Sequence, residues 1–297
     1  MTSDTSSGKH KSPLKFWNPK ELVENFSMLV VGSRRSGKSV FIKSLLISRT
    51  SDLLNQFDFI VVMCGNQHCA NDYIKCGIPS KYIHIGLNET ILKNYWDWVD
   101  RQQKEMKPIP KSLFIFDDVL CMTSSKKWNR QRTSDCYMLG RLFNEGRHIN
   151  ASVILVVQQV GIGLRFLRCS DVACFFGSSI NCGQDMKSIR DHYLPTDRKN
   201  ANWILQSCYK HDVIVCEYFR QESHDWKNKI KLFRANKQIV AFDISKFDEP
   251  IECESAPKPE RRIAPWQKAF EDHANSKYVQ KTVRQGGNIL RSDISGE

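Results

Sequence analysis

Apolar residues gather in short runs along this chain, and the polar breaks between them set the order of elements. Phe26 to Val31, Phe57 to Met63, Ser112 to Phe116, Ala151 to Val157 and Val172 to Phe176 are nearly unbroken apolar stretches. Runs of that length without alternation suit strands buried on both faces of a parallel sheet. Tyr82 to Ile85 adds a shorter strand. Helical spacing fills the gaps. Val40, Phe41, Leu45 and Leu46 share one face, as do Leu92, Tyr95, Trp96 and Val99 in a helix predicted over 89–106 and ended by Pro108 and Pro110. Tyr137 to Glu145, Asp185 to His192 and Asn200 to Cys208 read as further helices. Strands at 212–219, 231–234 and 238–243 carry edge or hairpin character. The pattern predicts an α/β fold: a mostly parallel central sheet flanked by helices, with antiparallel strands near the C-terminal end.

The ends differ from this middle. Residues 1–14 are polar and rich in Ser and Lys, and read as a disordered arm. Residues 15–254 form one domain. Residues 255–297 begin as a proline-rich linker and continue as a polar, partly helical tail. No internal repeat is evident.

Composition narrows the class. Hydrophobic residues are 41% of the chain, enough for a real core, so global disorder is excluded. The formal net charge of +12 favours a polyanionic partner, nucleic acid first. No apolar run approaches the ~18 residues of a membrane helix, and the N-terminus has no apolar signal core. Neither a membrane nor secretion is expected. The eleven cysteines are odd in number and scattered, and read as reduced thiols. Cys64, His68, Cys69 and Cys76 have a spacing that could suit zinc, but Cys64 ends a strand and no second matching pair follows.

The sharpest chemical signal is Gly32-Ser33-Arg34-Arg35-Ser36-Gly37-Lys38-Ser39, which fits the phosphate-binding P-loop and lies between a strand and a helix that opens with Val40. Gly32 and Gly37 let the loop bend and let its backbone approach phosphates. Successive N–H groups and the helix end then face the anion. Lys38 is the candidate for the β- and γ-phosphates of ATP, and the Ser39 hydroxyl a ligand of Mg²⁺.

Downstream, the apolar strand Leu113-Phe114-Ile115-Phe116 ends in Asp117-Asp118. Asp117 is assigned to Mg²⁺ and Asp118 to the attacking water. The strand over 151–157 ends in Gln158-Gln159; Gln158, whose amide can donate and accept at once, is the candidate sensor of the γ-phosphate, ahead of Gln159. Arg168 and then Arg147 are candidates for an arginine acting across a subunit interface; a phosphate-backbone contact or a surface ion pair remains the alternative for each. The basic segment 121–132 around Trp128 reads equally as a DNA-facing loop or a solvated surface.

These motifs, in order, with Gly146-Arg147-His148 before the Gln-ended strand and Leu164-Arg165-Phe166-Leu167-Arg168-Cys169-Ser170-Asp171 after it, resemble the genome-packaging ATPases of poxviruses, other large DNA viruses and virophages, within the FtsK–HerA superfamily. The resemblance spans residues 25–245. It implies a RecA-like P-loop NTPase core that forms a ring, usually a hexamer, around double-stranded DNA, and ATP hydrolysis that drives DNA into a capsid. It implies capsid proteins as partners and a location in the host cytoplasm, a viral factory or the virion. It carries Lys38 and Ser39 to nucleotide, Asp117 to Mg²⁺, Asp118 to the catalytic carboxylate and Gln158 to the sensor. Many relatives have Asp-Glu where this chain has Asp117-Asp118, one methylene shorter. Two other readings stay open: a P-loop nucleotide kinase, and a non-catalytic DNA-binding or capsid-assembly scaffold.

Overall fold

The fold is that of a computed structural model, which describes residues 14–47, 53–119, 137–159, 170–177, 183–194, 196–206, 208, 212–219 and 225–234. The chain divides into two units, one of residues 1–88 and 110–242, the other of residues 89–109 and 243–297. In the second, the described part is a helix with Leu92, Tyr95, Trp96 and Val99 buried, the face its spacing predicts, joined by Trp98.

The first unit is built on one sheet. Its strands are β1 (Ser27–Val31), β2 (Phe59–Cys64), β3 (Ile83–Ile85), β4 (Ser112–Asp117), β5 (Ala151–Val157), β6 (Val172–Phe176), β7 (Asp212–Glu217) and β8 (Ile230–Arg234). They lie in the order β3-β2-β4-β5-β1-β6-β7-β8. The pairs from β3 through β6 are parallel, and β6–β7 and β7–β8 are antiparallel. This is the predicted fold class. Every residue of β1, β2, β4, β5, β6 and β7 is buried, which is why these strands read as apolar runs. The second strand starts at Phe59, two residues later than its apolar run suggests. The segments 1–13, 121–132 and 160–169, the strand expected at 238–243, the linker and the tail lie outside the described residues.

One face of the sheet positions the chemistry. Met28 and Val30 of β1, Ile60, Val62 and Cys64 of β2, Leu113 and Ile115 of β4 and Ile154 and Val156 of β5 share a core. Two helices contribute to it: α1 (Lys38–Ile47), through Phe41, Ile42, Leu45 and Leu46, and α3 (Gln67–Lys75), through Ala70 and Tyr73, with the short α2 (Leu53–Gln56) between them in sequence. Alternation along β4 carries Asp117 onto the side of Leu113 and Ile115, and along β5 it carries Gln158 onto that of Ile154 and Val156. Helix α3 is absent from the sequence expectations, which read its start as a metal-like cluster.

The far edge of the sheet is tied to the N-terminal segment. Phe16 bridges Leu232, Leu232 N donates to Lys15 O at 2.9 Å, and Trp17 N donates to Leu232 O at 2.9 Å. Trp17 Nε1 donates to Glu217 Oε1 at 3.0 Å. Lys231, buried itself, joins Glu217 and Glu21 at 2.8 Å each. At the start of β1, Ser27 N and Oγ both donate to Asp171 Oδ2 at 2.8 Å, which pins β1 to the start of β6.

Candidate functional site

Residues 32–37 leave β1 as a turn and enter α1 at Lys38. Gly37 has φ of +104° and Arg35 of +61°, both left-handed. A β-carbon at position 32 would lie 2.4 Å from Ser36 Oγ and 2.8 Å from Lys38 Cγ. A side chain at position 32 therefore requires Ser36 and Lys38 to shift. The Lys38 ammonium folds back into the loop and donates to the carbonyl oxygens of Gly32 at 2.5 Å and Ser33 at 3.0 Å. Ser36 is buried beneath it, Ser33 and Gly37 are half-buried, and Arg34, Arg35, Ser39 and Val40 are exposed. Ser39 thus stands exposed at the N-terminal end of α1.

Register brings the other groups to the same edge. Val31 pairs with Val157 and Asp117 with Val156, so β1, β5 and β4 end level, side by side. Gly32 N donates to Val157 O at 3.1 Å, and Asp118 N donates to Val156 O at 3.1 Å. Gln158, directly after β5, sits between the P-loop strand and the strand of the two acids.

Asp117 is 4% exposed. Its Oδ2 accepts from the Tyr73 hydroxyl at 3.0 Å and from Cys69 Sγ at 3.2 Å. Both donors stand on α3. Asn66 caps that helix, its Oδ1 accepting from Cys69 N at 2.9 Å, and Tyr73 follows Cys69 by one turn on the same side. Burial pushes the Asp117 carboxyl upward, and the Asp118 charge adds to it; the Cys69 and Tyr73 donors and the Lys38 ammonium pull the other way without reversing the shift. The Tyr73 hydroxyl is pushed well up by burial and by the Asp117 charge, and stays a donor.

Asp118 adopts φ of +58°. Successive strand residues point to opposite faces, and the left-handed turn breaks that alternation. The Asp118 carboxylate comes to lie against Gln158, whose Nε2 donates to Asp118 Oδ2 at 2.5 Å.

The structure thus brings Lys38, Ser39, Asp117, Asp118 and Gln158 to the C-terminal ends of the central strands. Ser39 and Asp117 are hard oxygen donors of the kind Mg²⁺ takes. No hydrogen bond from a described residue reaches Asp117 Oδ1, which fits a carboxylate with one oxygen to give. Arg147 is not part of this group. It is exposed on a 3₁₀ turn (Gly146–Ile149) before β5, at the opposite end of the strands, about 20 Å away at the strand rise. Arg168 lies outside the described residues. The Cys64 and Cys69 side chains meet, and Cys76 is the C-cap of α3, but among the described residues no group of three His, Cys, Asp or Glu is arranged to hold a metal. Sequence reasoning gave neither Cys69 nor Tyr73 to this site. The available signal was Asn66 as a helix cap with Cys69 and Tyr73 one turn apart.

Comparison with known proteins bears on the family and the fold. The family described as Poxvirus A32 protein matches residues 14–165, just over half of the chain. Protein 015R of Frog virus 3, which is uncharacterised, is 30% identical over 138 residues; the match covers 45% of this chain and 38% of that protein. Among solved structures, B204, the DNA-packaging ATPase of Sulfolobus turreted icosahedral virus, superposes with a TM-score of 0.50 at 15% identity, over 72% of this chain and all of B204. A likeness at that identity speaks for the fold alone, a P-loop ATPase core. On the span matched by the family, which includes the P-loop, both acids and Gln158, the chain belongs to the Poxvirus A32 protein family.

Proposed function

We propose that this protein is an ATP-driven motor that moves double-stranded DNA to package a viral genome, by Mg²⁺-dependent hydrolysis at the P-loop. The observation that carries the reading is the meeting of Lys38, Asp117, Asp118 and Gln158 at the level ends of three adjacent parallel strands. The family membership and the fold likeness to a packaging ATPase support the choice of this motor over other P-loop chemistries.

In this reading Lys38 exchanges the carbonyls of Gly32 and Ser33 for β- and γ-phosphate oxygens and neutralises charge developing on the transferring phosphoryl group. The loop N–H groups and the start of α1 hold the remaining phosphate charge. Ser39 and Asp117 would hold Mg²⁺, with phosphates and water completing its shell; bound, the ion neutralises phosphate charge. Asp118 orients the attacking water and accepts its proton. Its shorter side chain is aimed by the left-handed backbone. Gln158, bonded to Asp118, is placed to relay between that carboxylate and the γ-phosphate. The motor is a homo-oligomeric ring, a hexamer, in which Arg147 or Arg168 of one protomer serves its neighbour, and capsid proteins receive the DNA.

ATP turnover at low salt, with and without linear duplex DNA, tests this. Lys38→Ala and Asp118→Asn run beside wild type; Asn is chosen because it tolerates the left-handed backbone at 118. The expected result is DNA-stimulated turnover that falls about a hundredfold or more in both variants. Turnover indifferent to DNA, with phosphate transfer to nucleoside monophosphates, would make it a kinase. ATP binding without hydrolysis would make it a scaffold.

A further inference from the structure

The Asp117 carboxylate is held by more than its own strand. Two donors 44 and 48 residues away in sequence converge on the same oxygen, Oδ2. Tyr73 is 2% exposed and Asp117 4%, so the tyrosine bond forms where water does not compete; Cys69 is half-buried beside it. A carboxylate has about four lone-pair sites on two oxygens. With Tyr73 and Cys69 on Oδ2, rotation of the carboxylate breaks both bonds, and Oδ1 is the oxygen left to a cation. Nothing in the nucleotide chemistry of the P-loop itself accounts for a tyrosine hydroxyl and a thiol here. Helix α3 supplies both from one face, and its Asn66 cap fixes the turn that carries Cys69.

We propose that Tyr73 and Cys69 are positioning residues for the metal carboxylate: they clamp Oδ2 of Asp117 so that Oδ1 is presented to a divalent cation bound with nucleotide. The inference rests on the reading of Asp117 as that carboxylate. Partners one bond removed from a metal set the orientation of its ligand, and their loss costs about 10–100-fold in metal affinity. Tyr73→Phe keeps the ring in the core and removes only the hydroxyl. Cys69→Ser keeps a donor, and Cys69→Ala removes it.

The test is Mn²⁺ titrated into the full-length protein with a non-hydrolysable ATP analogue, followed by electron paramagnetic resonance. Affinity for the analogue in EDTA and the thermal midpoint are measured beside it. Tyr73→Phe is expected to weaken Mn²⁺ binding about tenfold, and Tyr73→Phe with Cys69→Ala further within the same range. Cys69→Ser should match wild type. Analogue affinity in EDTA should hold in all of them, since the P-loop is untouched. Wild-type Mn²⁺ affinity in the double variant, alongside its loss in Asp117→Asn, would overturn the clamp and leave the metal assignment standing. Wild-type Mn²⁺ affinity in Asp117→Asn would overturn that assignment and the clamp with it.

Discussion

A methyl group at position 32 would overlap two side chains. The nearest atoms, Ser36 Oγ at 2.4 Å and Lys38 Cγ at 2.8 Å, belong to the turn that shapes the phosphate cradle. Gly32→Ala must therefore turn the Ser36 hydroxyl aside and open the turn or displace Lys38 from the carbonyls it bridges. Forcing such an overlap typically costs about 1–3 kcal/mol. The strain falls on the cradle more than on the core, because β1 and α1 keep their buried contacts. Nucleotide affinity is expected to drop about tenfold or more, with a thermal midpoint lowered by only a few degrees. Fluorescent-nucleotide titration and a melting curve on the same preparation separate the two. An alanine variant that binds nucleotide as wild type would mean that the loop reshapes freely at this point. Residue identity at 32 was legible from the motif alone. The convergence of Tyr73 and Cys69 on Asp117 was not, because hydrogen bonds between side chains so distant in sequence leave no periodic trace.

At the scale of elements, what was legible depended on burial. Strands buried on both faces are nearly continuous apolar runs, so β1, β2, β4, β5 and β6 showed themselves directly. Their ends were legible too, because a polar residue after such a run must leave the core; that is how Asp117, Asp118 and Gln158 were found. Helix α3 hid. Its sequence, Gln67 to Lys75, buries only Ala70 and Tyr73, too few for a helical stripe, and its cysteine and histidine drew attention to metal chemistry instead. The N-terminal segment was partly hidden as well. It lies on β8 through backbone bonds and a buried charge cluster rather than an apolar pattern. Glu217 is fully buried, and Lys231 is its cation at 2.8 Å. Removing one partner of such a pair leaves a charge without compensation and costs about 3–5 kcal/mol. Lys231→Met should lose stability on that scale in urea. Adding Glu217→Gln should recover part of it, since the stranded charge is then gone. Equal stability of Lys231→Met and wild type would show that the donors Glu217 already has, Trp17 Nε1 among them, suffice for its charge.

For the whole molecule the telling quantity is charge. Lys and Arg number 44 against 32 Asp and Glu over 297 residues, and the P-loop residues account for little of that excess. If the remainder meets DNA, the contact is with phosphates and is independent of sequence. Such binding releases counterions, so its affinity falls as a power of salt concentration. A protein touching six to ten phosphates loses about 10³–10⁵ in affinity between 50 and 200 mM salt. Linear duplexes of unrelated sequence should therefore bind alike at low salt and weaken together along one steep line. Lys38→Ala should follow the same line, because in the proposed function its lysine serves the nucleotide and not the duplex. That separation gives the measurement its force. A motor whose DNA affinity collapses with Lys38→Ala would hold DNA only through a nucleotide-dependent assembly, the ring itself. Affinity that is flat in salt would remove the electrostatic contact altogether, and with it the reason for reading the surplus charge as a DNA-facing surface.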